Sequence, residues 1–251
     1  RKGNSEWLVL EADEFGGAFW HYFPAVAVIT NIDKEHLDFY KNFTNVKKSF
    51  TRFKKQCGVV VSAVKDKKIL ANIKNVLKVP GDHNLHNASC AYAIAKHLGI
   101  PHSTILRGLS KYTGAWRRME YRGILMSKSK GQMSKIRVYD DYAHHPTEIK
   151  ATLAAFRQKW PKNALICVFQ PHQEERLKRL FKEFIGAFKA ADKVLILPTY
   201  KVAGRERGIR NQELGIKDGL AKKLAEKIDA VYLQNPKNLK KIIIKIIHDS
   251  R

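Results

Sequence analysis

What this 251-residue chain lacks narrows its possibilities before anything it contains. It has three cysteines, Cys57, Cys90 and Cys167, far apart and each set in apolar sequence. That spacing supports neither a disulfide framework nor a zinc ribbon, so buried free thiols are expected. No run of about 18 apolar residues occurs. The opening RKGNSEWLVLEADE lacks the basic, apolar and small-residue order of a signal peptide. The expectation is a soluble, cytoplasmic protein with no membrane segment. Three catalytic spacings are also missing: HExxH of zinc proteases, GxSxG of a nucleophile elbow, and GxxxxGK[ST] of a phosphate loop. Acids are scarce, with 23 Asp and Glu against 47 Lys and Arg, for a formal net charge of +24.

That charge is spread rather than clustered. Lysines recur along almost every expected helix, as in NVKKSFTRFKK, RLKRLFKEF and NLKKIIIKIIH, without a recognition-module signature or base-stacking aromatics. No nucleic-acid partner is expected, because the same field draws an anionic small substrate such as a nucleotide. A basic nucleotide- or nucleic-acid-binding relic without catalysis stands as the alternative. Hydrophobic residues make up 44% of the chain, ample for real cores. The chain opens on Arg1 and is almost at once in an apolar run, so a fragment is expected.

Apolar runs suited to buried parallel strands alternate with amphipathic stretches, the pattern of an α/β fold. Strands are expected at 7–13, 25–32 and 57–63, with a helix in FTNVKKSFTRFKKQ between the last two. After a turn at Pro80 and Gly81, residues 84–98 read as a helix closed by Gly99, and 102–109 as a shorter one. A boundary near 113–122 gives domains of 1–115 and 116–251. The alternation then restarts as a second doubly wound unit. Its strands are expected near 135–140, at 164–169, 193–198 and 230–233, and its helices at 146–159, 174–188, near 211–227 and at 236–247. The polar KSKGQMSK, 128–135, reads as a hairpin tip.

In such sheets ligands gather at the carboxyl ends of strands, where polar clusters recur here. EADE, residues 11–14, offers carboxylates to a hard divalent cation, or caps for a helix through Asp13 and Glu14. His36, in NIDKEHLD, can reach the same cation from the next strand end. Asn84 and Asn87 in GDHNLHNA lie one helical turn apart, able to face a nucleobase or phosphate, or merely to belong to a capped helix. Arg117 and Arg118 in GAWRRMEYRG offer phosphate-binding forks. As strand neighbours they point apart, so one is expected at the ligand. In VYDDYAHHPTEIKATL, Pro146 and Glu148 start a helix, which does not require Tyr142, His144 and His145 together.

In order, EADE, TNIDKEHLDFY, GDHNLHNA, GAWRRMEYRG, YDDYAHHPTEI and FQPHQEER resemble the Mur ligase family of peptidoglycan synthesis over nearly the whole chain. The resemblance implies the remainder of a central ATPase domain followed by a Rossmann-like C-terminal domain with a mostly parallel sheet. It implies an ATP-dependent, amide-forming ligase using ATP and Mg²⁺. DDYAHHPTEI and FQPH favour the branch that joins L-alanine to the lactyl carboxylate of UDP-N-acetylmuramate through an acyl phosphate. A tripeptide-recycling relative is the rival, and it typically has Phe where this chain has Tyr142.

By resemblance, Glu11 and His36 match magnesium ligands, and Asn84 and Asn87 the adenine-side helix. Arg117 or Arg118 matches an ATP-contacting arginine, and Asp141 a residue at the nucleotide. Tyr142, His144, His172 and Arg176 line the expected alanine pocket, with His36 and His144 nearest the chemistry. The chain departs from the family in three respects. It has no phosphate loop, which in the family lies upstream of EADE. Its interval between VVVSA and VPGDHN is short enough to have lost a strand pair. Gln173 stands where the family usually has Arg after QPH, weakening the grip on the alanine carboxylate and leaving more to Arg176. The chain alone is not expected to turn over ATP.

Overall fold

The computed structural model describes residues 5–129, 132–200 and 219–249. Two compact units emerge, one of Arg1–Asn75 with His86–Gly108, the other of Val76–Leu85 with Leu109–Arg251. In the first, a 3-10 helix, Phe15–His21, precedes strand β1 (Val26–Val28). Helices α1 (Leu37–Tyr40) and α2 (Phe43–Lys55) lead to β2 (Val59–Val61), which pairs parallel with β1 from Val26↔Val59 to Val28↔Val61. The Asn42 side chain caps α2 by accepting from the Asn45 amide at 3.0 Å. The inner face of α2 carries Val46, Ser49 and Phe53. Phe53 stacks on Phe19 at 4.8 Å, and with Ala27 they form one core cluster of this unit. Helices α3 (Lys67–Val76), α4 (Asp82–His97) and α5 (His102–Ser110) follow. Gly99, at φ +78, ends α4 in the left-handed conformation that favours glycine.

The strand expected at 7–13 does not form. Residues 7–13 have no regular structure, and Leu8 and Val9 are 84% and 94% exposed. An apolar run becomes a strand only where a ladder receives it, and β1 and β2 pair with each other.

The second unit begins with an antiparallel hairpin, β3 (Glu120–Ser129) and β4 (Gln132–Asp140). Its ladder runs on to Ser129↔Gln132, so most of the expected tip at 128–135 is strand, and residues 130–131 lie outside the described residues. Then come α6 (Pro146–Lys159), β5 (Ile166–Phe169), α7 (Glu174–Arg179), α8 (Phe181–Ile185) and β6 (Lys193–Ile196). After these, α9 (Gly219–Lys227), β7 (Val231–Tyr232) and α10 (Leu239–Asp249) complete it. The parallel sheet has order β5-β6-β7, with Leu195 and Ile196 of its central strand fully buried. Burying such a side chain contributes about 1.5–3 kcal/mol, which fixes β6 as the middle layer. Phe169 packs on Phe184 and Phe188 at 5.7 and 5.3 Å.

This unit differs from expectation in three places. The strand near 135–140 belongs to the hairpin and, among the described residues, pairs with no strand of the parallel sheet, so the sheet runs in simple sequential order. The single helix at 174–188 is broken at Leu180, whose φ −109 and ψ 22 interrupt the helical path. The start of the helix expected near 211 lies outside the described residues. The hairpin is tied to α6 by rings instead: Tyr139 lies 5.1 Å from both Phe156 and Trp160.

Cys57, Cys90 and Cys167 are all free, and burial pushes each thiol above its ordinary pKa, Cys167 to about 12. No helix among the described residues is long and apolar enough to cross a membrane.

Candidate active site

In the first unit the acidic turn after residue 12 folds back on itself. Asp13 Oδ1 accepts from the Phe15 amide at 2.9 Å, and its carbonyl accepts from the Phe19 amide at 2.9 Å. The Tyr40 hydroxyl donates to the Glu14 carbonyl and is itself met by Ser49 Oγ at 3.2 Å. His36 sits left-handed at φ 53 before α1, its ring 4.9 Å from Phe15 and its Nε2 3.6 Å from Glu14 Oε1. Asp13, Glu14 and His36 thereby bring one ligand atom each within 4.8 Å of one another. Two carboxylates and an imidazole at that spacing suit a divalent cation that keeps the rest of its shell for water or phosphate oxygens. Glu11, matched to the metal by resemblance, is exposed and lies outside this grouping. Asp13 and Glu14, read from the sequence as alternative helix caps, take its place beside His36.

Asn84 is occupied locally, its Nδ2 donating to the Pro80 carbonyl at 2.7 Å, while Asn87 is exposed on α4. Arg117 and Arg118 precede β3 in a turn rather than alternating on a strand. Arg117 has φ 52, pairs through Nε with Asp140 at 3.0 Å, and lies over the Tyr142 ring at 4.9 Å. Arg118 is more open, reaching Glu148 at 3.3 Å with its side chain 47% exposed.

Asp141 secures the segment that carries the rings. Its Oδ2 accepts from the Met119 amide at 2.8 Å; its Oδ1 accepts from the Ala143 amide at 2.8 Å and Thr152 Oγ1 at 3.3 Å. His145, buried, caps α6 by accepting from the Thr147 amide at 3.2 Å, and the Glu148 carboxylate accepts from the His144 and His145 amides at 3.0 and 3.1 Å. Burial alone would raise the Glu148 pKa. Those two amides, with the charge of Arg118, outweigh it and hold the carboxyl below its ordinary value. His83 moves the other way from a usual paired imidazole: burial lowers its pKa, against Asp141.

On this base Tyr142, His144 and His172 converge. Tyr142 and His144 rings are 5.1 Å apart, His144 and His172 5.9 Å, and Tyr142 and His172 6.5 Å. Arg176 joins them from α7, its Nη1 donating to the His172 carbonyl at 3.1 Å. His144 Nδ1 lies 2.9 Å from the Tyr142 carbonyl; donation there leaves Nε2 as the acceptor of the neutral ring. Sequence reasoning missed Tyr200, whose ring stacks on His172 at 5.4 Å and 17°. No local pattern marks it, because it follows a buried strand in LPTYK with no cluster of acids, histidines or arginines beside it.

The Mur ligase, glutamate ligase domain matches residues 117–248, and the Mur ligase middle domain matches residues 1–79. The chain belongs to the Mur ligase family. It is 37% identical to the UDP-N-acetylmuramate–L-alanine ligase of Bdellovibrio bacteriovorus, over 79% of this chain and 52% of that one. It is also 37% identical to the ligase of that name from Syntrophus aciditrophicus, over 80% of this chain and 49% of that one. The chain thus spans about half the length of the curated relatives it matches. In fold it matches the solved UDP-N-acetylmuramate-alanine ligase of Thermotoga maritima, with TM-score 0.62 and 21% identity, covering 90% of this chain and 55% of that one. The Mur ligase fold read from the sequence, a mixed α/β chain with mostly parallel sheets, is thereby borne out.

Proposed function

We propose that this chain is the later part of a cytoplasmic, ATP-dependent ligase that joins L-alanine to the lactyl carboxylate of UDP-N-acetylmuramate through an acyl phosphate. The observation that carries this reading is the convergence of Tyr142, His144 and His172 beside Arg176, in a chain similar to UDP-N-acetylmuramate–L-alanine ligases. In this reading residues 1–115 serve ATP and the cation, and residues 116–251 serve the amino acid. Asp13, Glu14 and His36 would hold a divalent cation such as Mg²⁺, which when bound would supply positive charge to phosphoryl oxygens. His144, with Nδ1 committed to the Tyr142 carbonyl, offers Nε2 to take a proton from the alanine ammonium, freeing the amine for attack. Arg176 supplies the charge for the alanine carboxylate, since Gln173 brings none. Tyr142 keeps the pocket in the form expected of an alanine enzyme rather than a tripeptide recycler.

The complete protein containing this chain is expected to release phosphate from ATP only when both UDP-N-acetylmuramate and L-alanine are present. Release with the tripeptide but not with L-alanine would contradict the assignment.

A further inference from the structure

The geometry points to Tyr200 as a positioning residue of the amino-acid pocket, acting through His172; the inference rests on the function proposed for that pocket. Beyond the end of β6 the chain keeps pairing with its neighbour. The Leu197 amide donates to the Phe169 carbonyl at 2.8 Å and the Tyr200 amide to the Pro171 carbonyl at 2.7 Å. The Gln173 amide returns a bond to the Tyr200 carbonyl at 3.3 Å, and His172 and Tyr200 face each other as a parallel bridge. Tyr200 is therefore fastened by its backbone on both sides of the residue whose ring it covers. Side chains alternate there, with Thr199 buried at 5% and Tyr200 exposed at 54%.

The exposed ring lies nearly parallel to the His172 imidazole, 17° between planes and 5.4 Å between centroids, an offset stack. It makes Tyr200 the outer member of a row that continues through His172 and His144, 5.9 Å apart, to Tyr142, 5.1 Å further. Gln173 enters its helix at φ 70, a backbone conformation costly for a residue other than glycine, and the hydrogen bond from its amide to the Tyr200 carbonyl helps hold it there. The stack adds a direct ring contact to the backbone bonds that hold His172 beside Tyr200. Losing an aromatic pair worth about 1 kcal/mol corresponds to about a fivefold change in binding.

The test compares Tyr200→Leu with Tyr200→Phe. In the complete protein, Tyr200→Leu is expected to raise the KM for L-alanine about fivefold while leaving the KM for ATP unchanged, and Tyr200→Phe, which keeps the ring, to restore it. In the same proteins the His172 ring-proton resonance is expected to move in Tyr200→Leu, which loses the ring current, and to stay near the wild-type position in Tyr200→Phe. If wild-type protein uses L-alanine but Tyr200→Leu leaves its KM unmoved, or raises both constants alike, Tyr200 does not position the pocket. If wild-type protein does not use L-alanine at all, the pocket assignment falls and the inference with it.

Discussion

The acidic turn of the first unit and the ring cluster of the second rest on very different amounts of framework. The ring cluster stands on a long antiparallel ladder, from Glu120↔Asp140 to Ser129↔Gln132, followed by a capped helix. Asp141 adds three hydrogen bonds, which tie the DDYAHHP segment to the turn before the hairpin and to the helix that follows. The acidic turn follows residues with no ladder and is held from outside, by the Tyr40 hydroxyl and by the Phe15 ring against His36. Where the framework is dense, neighbouring functional residues arrive together. Where it is thin, a shift of two or three positions decides which carboxylate faces the imidazole.

The largest effect expected concerns that choice. In the complete protein, His36→Ala should reduce turnover by about a hundredfold or more while circular dichroism shows an intact fold, because the proposed function makes it a metal ligand. Manganese binding followed by electron paramagnetic resonance separates the carboxylates. Asp13→Asn or Glu14→Gln is expected to weaken it by about tenfold, and Glu11→Gln to weaken it less. Greater loss in Glu11→Gln would mean that the turn rearranges around the cation.

Next comes the dense framework. Asp141→Ala removes the acceptor for the Met119 and Ala143 amides and for Thr152, and is expected to destabilise the protein by about 2–3 kcal/mol in denaturant titrations. An unchanged midpoint would show that the ring cluster does not depend on that carboxylate.

How much of this was legible beforehand follows the same division. The helix of 146–159 could be read because Pro146 and Glu148 are local signals that need no partner, and Pro146–Lys159 is what forms. Tyr142, His144, His172 and Arg176 could be named through the resemblance of DDYAHHPTEI and FQPHQEER to the Mur ligases, motifs that also fall at strand ends. The strand at 7–13 could not be judged from its own apolar residues, since strand formation depends on a neighbour elsewhere in the chain. Likewise the alternation expected of Arg117 and Arg118 as strand neighbours does not occur, because the chain turns there and Asp140 fixes one of them. Tyr200 was invisible because its role comes from parallel pairing across 28 residues, His172 to Tyr200, and not from its flanking sequence.

Acid sharpens the comparison with a smaller effect. Glu148 has a folded pKa below its ordinary 4.5, so its stabilisation is complete above that value and is lost as pH falls through the depressed one. Asp192, lowered by its hydrogen bond from Arg157, adds in the same direction below 3.8. Glu148→Gln should therefore lower the melting temperature near neutral pH and flatten its fall in acid. An equally steep fall would assign acid sensitivity elsewhere. The smallest effect belongs to the thin framework: Val9→Lys, at a site 94% exposed, should shift stability by no more than about 0.5 kcal/mol. A loss of several kcal/mol would show that residues 7–13 are buried as a strand after all.

The most direct measurement of the central claim is the pair of Michaelis constants of the complete protein carrying His144→Ala. The arrangement described predicts a KM for L-alanine raised about tenfold or more, a reduced kcat, and an unchanged KM for ATP. An unchanged KM for L-alanine with a raised KM for ATP would place His144 with the nucleotide and contradict the assignment of this pocket.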